Sequence, residues 1–175
     1  VKTMKRYILT KSVLSWNEWK AYQFHVGEIR APITVGGREL RRWRVVWDIT
    51  DDRPVAVVSA KYALLQHKEF FSRINRAVEK TGIPVHQVRV WDYKSSVFAE
   101  IVFNRETLQG ILLALRVGNS FDGSVRAFVG ACGLRVVCEN AMIGRLFERV
   151  GRLHVGNISI ERLTNYIESA LADAD

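Results

Sequence analysis

The alternation of apolar and polar positions divides the chain into short extended runs interrupted by two clear helical stripes. Ser15-Trp16-Asn17-Glu18 matches the S-x-x-E capping box and predicts a short helix carrying Trp16 and Trp19. Two extended segments follow, about His25–Val35 and Arg38–Ile49, joined by Gly36-Gly37. A Gly-Gly pair between strand-like runs predicts a hairpin, because both residues can take positive φ. Pro54–Leu65 reads as a further strand, with Val55, Val57 and Val58 as its β-branched residues. From His67 to Thr81 the period changes to that of a helix. Phe70, Phe71, Ile74, Ala77 and Val78 form its stripe, and Gly82 and Pro84 stop it.

The second half predicts strands at Gln87–Tyr93 and Val97–Phe103, with Lys94-Ser95-Ser96 as their turn, and another at Ile111–Val117. Gly118 to Gly123 reads as a turn, where Asp122-Gly123 favours the mirror-type geometry. Ser124–Cys132 and Leu134–Cys138 read as strand and Glu139–Val150 as helix. A final helix is capped by Ser159, with Ile160, Leu163, Ile167 and Leu171 along one side. Strands, a helix, more strands and then helices argue for an α+β fold: a mainly antiparallel sheet, an N-terminal β-hairpin, one helix mid-chain and C-terminal helices. At 175 residues the chain fits one domain, with a basic hairpin segment over about 1–50 and a core over about 54–170.

Charge changes the picture. The formal net charge is +8, and residues 1–47 hold ten Lys/Arg against three Asp/Glu, a net +7. Positive charge gathered in the first quarter of the chain attracts a polyanion by counterion release. The plainer reading is a solvated basic face. In the second hairpin arm, Leu40, Arg42, Arg44 and Val46 share one strand face, and Arg41, Trp43, Val45 and Trp47 the other. Arginine neutralises phosphate and indole offers a flat surface to an unstacked base, so Arg41, Arg42, Trp43, Arg44 and Trp47 are candidate nucleic-acid contacts. A half-buried hairpin with its tryptophans in the core explains the same pattern. On the helix, Arg73, Arg76 and Lys80 step by three and four residues onto one face. That face is a candidate phosphate ridge or simply the solvated side of an amphipathic helix.

Other chemistry is sparse. No apolar run reaches the ~20 residues of a membrane span, and the first fourteen residues lack the features of a signal peptide, so a cytoplasmic location in the host cell is expected. Cys132 and Cys138 are the only cysteines and form no CxxC, and no metal or cofactor is expected. Asp48, Asp51, Asp52, Glu100 and Asp122 fall into no known two-metal spacing, and there is no P-loop. Cys138, beside Glu139 and Asn140 and with His154 downstream, invites a nucleophile reading. Its place at the end of an apolar strand fits a buried structural cysteine. Asp122 admits a metal-ligand reading but fits a turn with Gly123.

Asn119-Ser120-Phe121-Asp122-Gly123-Ser124 and Leu134-Arg135-Val136-Val137-Cys138-Glu139-Asn140 together resemble the phage/plasmid-like family of proteins of unknown function. That family pairs a Ser-x-Asp-Gly-Ser turn with an Arg-Val-Val-Cys-x-Asn block and a later histidine, for which His154 stands here. Lys61-Tyr62-Ala63-Leu64-Leu65 resembles its earlier tyrosine-bearing strand. The match covers about Pro54 to Ala170 and implies carriage on a mobile element. A looser likeness, in element order and basic hairpin, is to phage single-strand annealing proteins of the Redβ and Erf type, which bind single strands and assemble as rings or filaments. The function expected from the sequence is therefore a non-enzymatic binder of nucleic acid, single-stranded DNA above all, acting in replication or recombination as a homo-oligomer. The alternatives are a virion or protein–protein interaction component, and a hydrolase centred on Cys138 and His154.

Overall fold

The computed structural model describes residues 11–106, 111–136, 143–148, 153–154 and 159–172. The chain is mixed α+β and builds two antiparallel sheets. In chain order the elements are β1 (Lys11–Leu14), α1 (Trp16–Lys20), β2 (Gly27–Val35), β3 (Arg38–Asp48), β4 (Arg53–Ser59), α2 (His67–Thr81), β5 (Val85–Asp92), β6 (Ser96–Glu106), β7 (Ile111–Ser120), β8 (Phe128–Val136), β9 (Ile143–Glu148), β10 (Leu153–His154) and α3 (Ile160–Ala172).

The large sheet has the order β1-β5-β6-β7-β8, and β8 then pairs with β10 near its start and with β9 near its end. Directly opposed residues share a face, and the register of this sheet sorts them cleanly. Val90, Ala99, Val117 and Val129 form one row, and Val88, Ile101, Leu115 and Ala131 the next. Both rows are buried beneath Phe70, Phe71, Ile74, Ala77 and Val78 of α2 and Leu163 and Ile167 of α3, with Trp19 inserted from α1. The opposite face carries an ion triad, where buried Glu100 accepts from buried Arg89 Nη1 at 3.0 Å and lies 3.4 Å from Nε of the partly exposed Arg116. Further along that face, Gly118 lies between Phe98 and Phe128 in the ladder.

The small sheet has the order β2-β3-β4. Gly36 and Gly37, at φ of 56° and 74°, make the two-residue mirror-type turn that the sequence implies. Its inner face presents Val46 and Val58, which pack with Phe121.

Both capping predictions hold: Ser15 Oγ accepts from Glu18 N at 3.2 Å, and Ser159 Oγ from Arg162 N at 3.3 Å. Helix α2 ends at Gly82 with φ of 69°. Several expectations need correction. Residues 118–120 belong to β7 rather than to the turn, because Asn119 and Ser120 pair with Val97 and Ser96. The strand expected from Ser124 begins at Phe128 and runs through Gly133 without a break, held by β7 along its length. The strand expected over Pro54–Leu65 stops at Ser59, where the pairing with β3 ends. The helix expected over Glu139–Val150 is a strand at 143–148, because β8 offers an open edge for it to pair with. One C-terminal helix, α3, is present among the described residues.

Candidate nucleic-acid interface

The hairpin arm β3 places its alternating residues as the sequence implies, up to a bulge. Between Arg30↔Val45 and Ile33↔Leu40, three steps along β2 face five along β3. An excess of two residues preserves which side faces in, but it leaves Arg41, Arg42 and Trp43 without partners on β2. Arg44 fills this gap: its Nη1 donates to Arg41 O at 3.0 Å and Trp43 O at 2.9 Å. Arg44 thus closes the bulge against its own backbone.

The outer face of the small sheet joins Trp43 and Ser59, then Arg30, Val45 and Val57, then Glu28, Trp47 and Pro54. Trp43 is 47% exposed, and neighbouring Arg41 and Arg42 are exposed too. Trp47 is half-buried and already occupied. The Arg30 guanidinium sits 4.3 Å above its ring, and its Nε1 donates to Asp52 Oδ1 at 3.0 Å. Arg30 was not among the candidates from sequence. The signal for it is the hairpin register, which sets it opposite Val45, beside both tryptophans.

Helix α2 presents Arg76 and Lys80 to solvent, while Arg73 is tied to Glu69 at 2.8 Å. Lys20 reaches across from α1 to Glu79 at 2.8 Å. Acid is thus interleaved with base along this helix, as on a solvated amphipathic face. Among the described residues, no hydrogen bond, ion pair or ring contact joins Arg73, Arg76 or Lys80 to Arg41, Arg42, Trp43, Arg44 or Trp47. The sequence candidates therefore form two separate groups.

Cys138, Glu139 and Asn140 lie outside the described residues. Cys132 is buried on β8. His154 lies on β10, opposite Phe128.

Two of the segments that carried the family resemblance, residues 61–65 and 119–124, meet at the joint between the two sheets. Asn119 donates to Leu65 O at 2.9 Å and approaches His67 Nδ1 at 3.1 Å. His67 is buried, and its Nε2 faces Lys94 O at 2.9 Å. Burial holds its pKa below the ordinary imidazole value, with the Lys94 carbonyl opposing. Phe121 packs against His67 at a 43° tilt with centroids 4.9 Å apart, and Gly27 of the small sheet lies so close to the Phe121 ring that a Cβ there would collide with it. Asp122 accepts from Ser95 Oγ at 2.7 Å and from Ser124 N at 2.9 Å. Burial raises the Asp122 pKa, but these donors outweigh it and hold the carboxyl below its usual value. Gly123 takes φ of 79° against Tyr62, whose segment is a loop rather than a strand. Tyr62 itself is partly buried, and that burial raises its hydroxyl pKa. Phe121 joins the sheets by packing with Val46 and Val58, and the Asp122 carboxylate is taken up by Ser95 and Ser124, which favours a structural turn over the metal-ligand reading.

A groove of about 770 Å³ opens beside this joint, between the segment 19–26 and α2. Trp19, Tyr22, Phe24 and Phe71 give it aromatic walls, and Lys20 and Lys68 lie along it. Phe24 stacks on Phe71 with centroids 5.1 Å apart, and Tyr22 donates its hydroxyl to Asp92, which together with burial pushes its pKa up.

No helix among the described residues is long and apolar enough to cross a membrane. No curated protein and no solved structure matches the chain at a significant level. One family does, over residues 54–166, a span that takes in nearly all of β4, the Tyr62 loop, the Asn119–Ser124 turn and most of α3, and leaves β2 and β3 outside. The chain therefore belongs to the family described as Domain of unknown function (DUF932).

Proposed function

We propose that this protein is a non-enzymatic, sequence-tolerant nucleic-acid binder that prefers single-stranded DNA. The observation that carries the reading is the exposed Trp43 on the outer sheet face, flanked by the solvent-facing Arg41 and Arg42. A half-exposed indole on a protruding hairpin gains little for the fold, whereas a stacked base contributes on the order of 1–3 kcal/mol. The two arginines supply the phosphate contacts that fix a strand over it. Arg30 over Trp47 adds a cation–aromatic pair to the same face. The likeness to phage/plasmid-like proteins supports a role in replication or recombination of a virus, phage or plasmid. The likeness to Redβ- and Erf-type proteins favours strand annealing by a homo-oligomer.

Anisotropy of labelled single-stranded and duplex DNA of equal length, titrated with protein across a salt series, tests this reading. Tighter single-strand binding that weakens steeply with salt is expected. Absence of binding at low salt would refute it.

A second reading has its own support. Val35 and Val57, at 60% and 59% exposure, join Leu40 and Ile29 as apolar side chains open to solvent on the same small sheet. Such a surface also suits a protein partner, as in a virion component. Assembly on a sizing column that ignores both salt and oligonucleotide would favour that role.

A further inference from the structure

We infer that His25, Asp48 and Asp51 form a binding site for a divalent transition cation of the zinc class. This inference is independent of the nucleic-acid reading. The ligand atoms of the three residues lie within 4.8 Å of one another. None of the three carries a recognisable motif in sequence. The hairpin register brings His25, two residues before β2, beside Asp48 at the end of β3 and Asp51 in the β3–β4 turn that follows it.

The arrangement is built as metal ligands are built. Asp48 is buried, and its Oδ1 is fixed by two backbone donors, Thr50 N at 3.0 Å and Asp51 N at 3.2 Å. That leaves Oδ2 directed at His25 Nδ1, 2.9 Å away. A carboxylate held by one oxygen and offering the other is the usual outer support of a ligating carboxylate. Two ligands of one tetrahedral ion stand roughly 3.3–3.6 Å apart when each bond is near 2.0–2.2 Å. A widening of a few tenths of an ångström would admit an ion in place of the shared proton. Asp51 is the accessible member, with 30% of its side chain exposed, and His25 borders the groove, so an ion has a way in.

The donor set selects the ion. One imidazole nitrogen with two carboxylate oxygens suits zinc, with water in the fourth position, whereas magnesium and calcium prefer oxygen alone. Lys94 is the competitor: its ammonium lies 2.7 Å from Asp51 Oδ2, and Arg53 Nε lies 3.9 Å from the same oxygen. The Asp51 carboxylate holds this ammonium when no metal is bound, and an entering ion must displace it. Removing Lys94 should therefore strengthen metal binding.

The test is titration of the full chain with zinc chloride against a chromophoric chelator. His25→Ala, Asp51→Asn and Lys94→Met proteins are run alongside, each verified as folded by circular dichroism. Asp48 is left intact because its burial makes a folding defect the expected result of substitution. One zinc per wild-type chain is expected. The His25 and Asp51 variants should each bind at least ten-fold more weakly, the Lys94 variant should bind more tightly, and magnesium should not compete. The site would be overturned by no stoichiometric zinc in the wild type, by wild-type affinity in either ligand variant, by a Lys94 variant no tighter than wild type, or by effective magnesium competition.

Discussion

The side-chain amide of Asn119 lies 3.1 Å from His67 Nδ1, and it is through this contact that the last residues of β7 hold the first turn of α2. With Nδ1 accepting from Asn119 and Nε2 donating to Lys94 O at 2.9 Å, the imidazole is fixed as its neutral tautomer. A second proton would have to enter at Nδ1 and break the Asn119 contact.

Stability should therefore fall as pH drops below about 6.5, the ordinary imidazole value. Burial depresses the folded pKa of His67. Between that lowered value and the unfolded one, the unfolded chain holds the extra proton, so the folded state loses ground as acid is added. Above the window His67 contributes no slope. Urea unfolding of wild type and a His67→Gln variant at pH 7.5 and 5.5 measures the difference. An equal loss in both proteins would assign the acid sensitivity to other groups.

Gly118→Ala should cost about 1–3 kcal/mol, the range for overpacking a filled core. A methyl group there would lie 2.4 Å from Phe128 Cε1 and 2.8 Å from Phe98 Cδ1. Both rings belong to neighbouring strands, Phe128 buried and Phe98 half-buried, and both must shift to admit it. Gly130→Ala is the matched control on β8, because no atom lies within 4 Å of its added methyl. Chemical denaturation of the two variants should separate them clearly. Similar midpoints would mean that the aromatic pair yields more easily than its packing implies.

Local patterns made the hairpin, both capped helices and the apolar stripe of α2 legible, because Gly36-Gly37, Ser15, Ser159 and Phe70 to Val78 act over a few residues. What escaped depends on distant partners. Residues 143–148 read as helix from their own spacing and become strand because β8 presents an open edge. Asn119 reads as a turn residue until β6 pairs with it. Within the candidate interface, strand alternation treats Trp43 and Trp47 alike. Only the β2 register shows that Arg30 covers one of them, and only the bulge shows that Arg44 is turned to its own backbone. The ligand atoms of His25, Asp48 and Asp51 come together for the same non-local reason.

The two tryptophans should respond differently to alanine substitution. Trp43→Ala removes an exposed ring and should leave the denaturation midpoint nearly unchanged, while weakening single-strand binding by roughly 5- to 150-fold, the equivalent of about 1–3 kcal/mol. Trp47→Ala also removes the Arg30 contact and the bond to Asp52, and should destabilise the fold by about 1 kcal/mol or more. Paired anisotropy and urea measurements decide it. A Trp43 variant with full affinity would move base stacking away from this face.

Salt dependence should separate the two basic groups. For single strands, each phosphate contact contributes about 0.7 to the slope of log K against log salt. Arg41→Ala with Arg42→Ala should therefore make that slope shallower by roughly 1.4, with little change in stability, because both side chains are exposed. Arg44→Ala should do the reverse. Its Nη1 holds two carbonyls of the bulge, so the loss falls mainly on the fold. Arg76→Ala with Lys80→Ala tests the helix face, which the structure does not join to the hairpin. If the strand follows the hairpin alone, this pair leaves the slope unchanged. A decrease equal to that of the Arg41 and Arg42 pair would require a path reaching both elements, and the footprint on DNA would have to lengthen to match.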